Sequence, residues 1–118
     1  MVVIGGQQLT VEVVIAKLDR AKARGRDGVI SVQAEPWEVG EDRESVLTRA
    51  STGLPHGKVR TADAQALLDN GFTLELDTSN GQNPNHYNLG IGGDATAEDI
   101  MRLIACFGEP EPNLGRGH

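Results

Sequence analysis

The residues best suited to chemistry are two histidines on either side of the chain's midpoint, His56 and His86. A neutral imidazole can take the proton of a ribose 2′-hydroxyl, and an imidazolium can protonate the leaving oxygen. Lys58 and Arg60 would stabilise the negative charge that develops on the phosphoryl group. These four residues predict a metal-independent ribonuclease. The alternative interpretation is that both histidines are solvated loop residues with no catalytic role.

Charge is divided unequally between the halves of the chain. Residues 1–60 carry nine Lys/Arg against eight Asp/Glu, whereas residues 61–118 carry two against nine, and the net charge is −6. An acidic surface repels phosphate backbones and attracts basic proteins. We therefore expect a non-catalytic protein-binding domain, such as an immunity or inhibitor protein that masks a basic partner. RNA is the expected partner only under the ribonuclease hypothesis. The residues predicted to bind the basic partner are Glu75, Asp77, Asp94, Glu98, Asp99 and Trp37.

A run of basic residues, Lys17 to Arg26, is the exception to this acidity. Charge runs of this kind usually form the solvated face of a helix, and we favour that interpretation. The alternative is a local basic patch formed by Lys17, Arg20, Lys22, Arg24 and Arg26.

Other motifs predict no further chemistry. Gly90 to Ala95 has the G-x-G-x-x-A spacing of a dinucleotide site, but only 23 residues follow it, too few for the returning strand of a βαβ unit. The histidines and carboxylates lack the spacing of metal ligands, and Cys106 is the only cysteine. We expect no metal, no cofactor and an inert Cys106.

One short stretch resembles a known family in the order of its elements. Residues 67–72 would be the end of a helix and a Gly-aromatic turn, and His86-Tyr87 would lie on a later strand. The small HicA-type messenger-RNA-cleaving toxins have this order, although their Gly-Ser-His element is replaced here by Asn83-Pro84-Asn85-His86. The resemblance implies RNA cleavage by His86, and it is too short to assign the chain to the family.

Hydrophobic periodicity predicts the elements that position these residues. Apolar residues at helical spacing predict helices over 10–24, 41–50, 61–70 and after Thr96, although residues 10–16 also have the alternation of a strand. Alternation predicts strands over 29–34, 72–77 and 86–91. If the last two strands form a hairpin, Glu75, Asp77, His86 and Asn88 share its outer face. The expected fold is α+β, with a small three- to four-stranded, mostly antiparallel sheet and amphipathic helices packed on one face.

The domain organisation is predicted to be simple. Residues 1–108 would form a single domain and residues 109–118 a polar tail rich in Pro and Gly. No apolar run is long enough to cross a bilayer, so we expect a cytoplasmic protein with no membrane contact. A homodimer could form through an edge strand, at 72–77 or at 86–91.

Overall fold

The computed structural model describes residues 1–54, 57–77 and 85–115. Within these ranges the chain forms a six-stranded antiparallel sheet and four helices. The strands are β1 (Val2–Gly6), β2 (Val29–Glu35), β3 (Lys58–Asp63), β4 (Thr73–Leu76), β5 (His86–Gly90) and β6 (Glu111–Pro112). The helices are α1 (Val11–Ala23), α2 (Arg43–Ser51), α3 (Ala64–Asp69) and α4 (Ala97–Ala105). The predicted α+β class is confirmed, whereas the prediction of three or four strands is too low.

The additional strands are β1, β3 and β6. The order across the sheet is β4-β5-β2-β1-β3-β6, so β1 lies near the centre, between β2 and β3. Thr61, the first residue of the predicted helix over 61–70, instead lies in β3 opposite Ile4. The cap of α3 is Asp63, whose Oδ1 accepts the backbone N–H of Gln65 at 3.1 Å.

Helices cover both faces of the sheet, so the prediction that all of them pack on one face is wrong. Side chains alternate between the two faces of a strand. In β1, Val3 joins the larger core with residues of α1, α3 and α4, while Val2 and Ile4 join a smaller core with α2. Gln33 of β2 also faces α2, and its Nε2 donates to the Ala50 carbonyl at 2.6 Å. The helix α2 therefore lies alone against its face of the sheet in the described residues.

Local signals set the starts of α1 and α4. The Thr10 hydroxyl accepts the Val13 N–H at the start of α1. At α4, Thr96 and Asp99 form a reciprocal capping box, with the side chain of each accepting the backbone N–H of the other. Such caps typically contribute about 1 kcal/mol. Helices in the described residues lack the length and hydropathy of a membrane span.

The sheet has its edges at β4 and β6. β5 is paired on both sides, with β2 and with β4, so residues 86–90 offer no free edge. The prediction of a homodimer through the strand at 86–91 is therefore wrong. Within the predicted tail, β6 pairs with β3, and the Asn113 side chain donates to the Leu54 carbonyl at 3.0 Å. Residues 116–118 lie outside the described ranges.

Candidate functional site

The polar face of β4, β5 and β2 is the floor of the candidate site. Ser31 pairs with Asn88 and Gln33 with His86, and residues directly opposite each other share a face of the sheet. Glu75 pairs with Asn88, and the Asp77 N–H donates to the His86 carbonyl. The predicted hairpin and its shared polar face are confirmed. Because α2 packs over β1 and over Gln33, no helix in the described ranges is seen to cover the β5 side of this face.

A cleft of about 610 Å³ opens beside this floor. Its size lies within the range of small-molecule sites. The side of the cleft formed by α1 is basic, the α1–β2 connection adds Arg26, and the strands contribute mostly polar groups. The residues of the strand side are Val29, Ile30, Ser31, Asp77, His86 and Asn88.

The basic side of the cleft consists of Lys17, Arg20 and Arg24. The first two lie one turn apart on α1 and the third is its C-cap, so the spacing of three and then four residues places them on one helix face. Among the described residues, none of the three forms an ion pair. Burial and, secondly, repulsion by Arg20 lower the pKa of the Lys17 ammonium. Cations are thus concentrated here without protein counter-ions.

Asp77 is the anion of the cleft. Its carboxylate is 4% exposed, and its Oδ2 lies 3.0 Å from Arg26 Nη1 and 3.0 Å from His86 Nδ1. The Arg26 contact is a hydrogen bond, whereas the histidine nitrogen lies off hydrogen-bond geometry. One buried carboxylate oxygen therefore holds the Arg26 guanidinium by a hydrogen bond and lies beside the His86 imidazole at the cleft. Of the carboxylates predicted to bind a partner, Asp77 is the one that is buried inside the protein.

The predicted ribonuclease residues do not come together in the described structure. His86 lines the cleft, but Lys58 and Arg60 lie on β3, which β1 and β2 separate from β5. Neighbouring strands are about 4.8 Å apart, so three steps across the sheet intervene. The Arg60 guanidinium donates to the backbone carbonyls of Gln7 and Gly108. His56 lies outside the described residues.

The other predicted binding residues are dispersed. Glu75 is exposed on β4, and Asp94 is exposed before α4. Glu98 and Asp99 lie in the first turn of α4, where Asp99 accepts from Thr96 and pairs with Arg102 at 3.2 Å. The backbone hydrogen bond from Thr96 is the main cause of the lowered pKa of Asp99.

Trp37 lies elsewhere, between β2 and α2. Its side chain is 48% exposed, and its Nε1 donates to the Glu41 carbonyl at 2.7 Å. It borders a second cavity of about 360 Å³, which includes Arg43 and Cys106. Burial raises the pKa of the Cys106 thiol, which disfavours the reactive thiolate.

The described residues form neither a metal site nor a dinucleotide site. No group of three or more His, Cys, Asp or Glu side chains in the described ranges is arranged to hold a metal ion. The glycine motif at residues 90–95 follows a strand of an antiparallel sheet, and Gly92 and Gly93 pack against Gly28 and Asp27. The parallel βαβ unit that a dinucleotide site requires is not formed by these elements.

Sequence reasoning placed the basic residues of α1 on a solvated face and so missed the cleft. The available signal was the like-charge spacing of Lys17, Arg20 and Arg24, which is unfavourable in an isolated helix. The missing information was the position of the polar strands that complete the cleft.

The fold and the cleft define an α+β protein that carries a basic recess on an otherwise acidic chain. Comparison with known proteins gives no match to a family model, to a curated protein or to a solved structure.

Proposed function

We propose that this protein binds a small phosphorylated ligand in the cleft between α1 and the polar face of β2 and β5. The observation that carries the proposal is the group of Lys17, Arg20 and Arg24, which line the cleft without ion pairs in the described part of the chain. Crowded cations cost free energy, and burial adds to the cost at Lys17. A bound phosphate would remove that cost through charge-assisted hydrogen bonds.

Part of this basic pattern has a structural explanation. Cations in the last turn of a helix interact favourably with its dipole, and Arg20 and Lys22 occupy the last turn of α1. That effect requires no cleft and applies equally to Lys22, which does not line this cleft. It does not explain why Lys17, a turn further from the helix end, is partly buried beside Arg20.

The charge distribution favours a compact anion over a long nucleic acid. The net charge of −6 would repel the parts of a polyanion that extend beyond the cleft. No Phe, Tyr or Trp side chain is among the described residues that line it, and stacking on such rings is a main source of affinity for single strands.

Calorimetric titration with inorganic phosphate and pyrophosphate at fixed ionic strength tests the proposal. Lys17→Met retains most of the aliphatic length and removes the charge, and Lys22→Met is the matched control on the same helix. We expect Lys17→Met to weaken pyrophosphate binding about tenfold or more, the value of one charge-assisted contact, and Lys22→Met to change it less than about twofold. Absence of binding, or equal losses in both variants, would contradict the proposal. Tighter binding of a single-stranded RNA, with a steep salt dependence, would instead indicate a nucleic-acid site.

RNA cleavage is a second candidate, supported by the position of His86 in the same cleft beside Asp77. His86 would accept the proton of the 2′-hydroxyl as its oxygen bonds to phosphorus, and the cations of α1 would stabilise the phosphoryl charge. The bond from phosphorus to the 5′-oxygen would break, and water would protonate that oxygen. Incubation of the protein with single-stranded RNA, beside His86→Ala, tests this candidate. RNA that stays intact with the wild-type protein would end it.

Binding to a basic protein stays a prediction from charge. Its support is weaker, because Asp77 and Asp99 pair with Arg26 and Arg102 within the chain. Retention on a basic partner that does not weaken with added salt would count against it.

A further inference from the structure

We infer that the ligand of the cleft is the phosphate ester of a small polyhydroxylated molecule, held by its hydroxyl groups as well as by its phosphate and without an aromatic base. The inference rests on the proposed function and concerns the half of the cleft that faces away from α1. The two halves differ in chemistry. The α1 side offers only cations among its polar groups, whereas the strand side offers hydrogen-bond acceptors next to Arg26.

The acceptors lie together on the floor of the cleft. Asn88 and Ser31 are direct partners across β5 and β2, and the Asp77 carboxylate follows at the end of β4. Asn88 Oδ1 is screened from solvent and accepts no hydrogen bond within the described ranges. A buried acceptor without a donor costs roughly 1–3 kcal/mol, so a ligand hydroxyl regains free energy there once the Asn88 side chain turns towards the cleft.

Hydroxyl groups fit these acceptors better than the other common donors. An ammonium group would meet Arg26 and the cations of α1, which repel it. An aromatic base would find no Phe, Tyr or Trp ring among the described lining residues, where the apolar contribution comes from Ala21, Val29 and Ile30. A hydroxyl carries no charge and both donates and accepts, so it suits Asn88 and Ser31 together.

The experiment compares four probes by calorimetry: inorganic phosphate, pentyl phosphate, ribose phosphate and adenosine monophosphate. We expect ribose phosphate to bind about tenfold more tightly than pentyl phosphate, the value of one or two hydrogen bonds. We expect the added base of adenosine monophosphate to give no gain.

Three variants locate the hydroxyl contacts. Asn88→Ala and Ser31→Ala should each weaken ribose phosphate binding about fivefold and leave inorganic phosphate binding unchanged. Ser45→Ala, an exposed serine on α2 away from the cleft, should change neither. Ser31 is exposed, so its variant tests the inference even if Asn88→Ala destabilises the protein.

The outcomes separate this inference from the proposed function. If inorganic phosphate or pyrophosphate binds and ribose phosphate binds no more tightly than pentyl phosphate, the inference is overturned and the proposed function stands. If adenosine monophosphate binds more than about threefold more tightly than ribose phosphate, the site is a nucleotide site and the inference is again overturned. If none of the phosphate compounds binds, both fail.

Discussion

Arg26 Nη1 donates to Asp77 Oδ2 at 3.0 Å, and this contact joins two parts of the chain that are 51 residues apart. Arg26 precedes β2, and Asp77 follows β4 on the far side of β5. The contact therefore fixes the connection after α1 to the edge of the sheet. Because His86 Nδ1 lies at the same carboxylate oxygen, the site and the stability of the fold depend on one buried anion.

Replacing Arg26 by Gln should destabilise the protein by about 1–2 kcal/mol. Removing one partner of a fully buried ion pair costs about 3–5 kcal/mol, and the 41% exposure of the Arg26 side chain reduces this value. Urea unfolding at neutral pH measures the change. Arg20→Gln removes the same charge where the described structure has no ion pair, and it should change the free energy of unfolding by less than about 0.5 kcal/mol in either direction. Equal effects of the two variants would show that the Asp77 contact contributes nothing specific.

Replacing Gly28 by Ala should be more costly than replacing Gly25 by Ala. Both glycines have positive φ, +78° and +79°, so each variant carries about 1–2 kcal/mol of backbone strain. A Cβ on Gly28 would also lie 2.5 Å from the backbone carbon of Gly92, whereas a Cβ on Gly25 meets nothing within 4 Å. Overpacking adds about 1–3 kcal/mol.

Thermal and urea unfolding of the two glycine variants check this difference. The Gly28 carbonyl also accepts the N–H groups of Ile91 and Gly92, so a shift there disturbs the junction between β5 and the segment before α4. If both variants lost the same stability, the close approach of Gly28 to Gly92 would be refuted.

Because of the capping box of α4, the free energy of unfolding should fall at acid pH. In the folded protein Asp99 accepts the Thr96 N–H, and this hydrogen bond lowers the pKa of the Asp99 carboxyl below its ordinary value of 3.8. The stabilisation is therefore present above pH 3.8 and is lost as the pH falls through the lowered pKa. Urea midpoints of wild type and Asp99→Asn should differ at neutral pH and converge in acid.

Thr96→Ala provides the control for that pH dependence. It removes the hydroxyl that accepts the Asp99 N–H and should cost about 1 kcal/mol with little dependence on pH above 3.8. A difference between wild type and Asp99→Asn that stayed constant into strong acid would argue against the carboxylate as the source.

Local sequence signals predicted the parts of the fold that depend on neighbours in the chain. Thr10 and the apolar spacing after it defined α1, and Thr96 with Asp99 defined the start of α4. The strands β1 and β3 were missed because their pairing decides their structure. β1 has only five residues and ends in Gly5-Gly6, and Thr61 resembles a helix cap until its place opposite Ile4 is known.

For the same reason, the sequence predicted the polar strands of the candidate site but not its basic side. The alternation in β4 and β5 gave the polar face that carries Asp77 and His86. The basic side was assigned to solvent, because helical periodicity shows which residues share a face but not what lies opposite it. Only tertiary structure brings Arg24 and Lys17 to the same cleft as Asp77.

Removing the charge of Lys17 should stabilise the protein in the absence of ligand. Burial and repulsion by Arg20 lower the Lys17 pKa below 10.5, so folding disfavours the charged form that dominates at pH 7. Lys17→Met should therefore raise the free energy of unfolding by a few tenths of a kcal/mol, the size of a like-charge pair one turn apart. Lys22→Met, on the same helix but outside the cleft, should not raise it.

The pH dependence of this gain distinguishes its electrostatic origin from better packing of methionine. As the pH rises towards 10.5, the folded protein releases the Lys17 proton before the unfolded chain does, and the stability of wild type rises relative to the variant. Urea unfolding of both proteins at neutral pH and near pH 10 measures the convergence. A variant that was less stable than wild type at pH 7, or a gain that did not shrink with pH, would contradict this account. If Lys17→Met is more stable than wild type and also loses pyrophosphate binding, the Lys17 charge lowers stability and serves ligand binding.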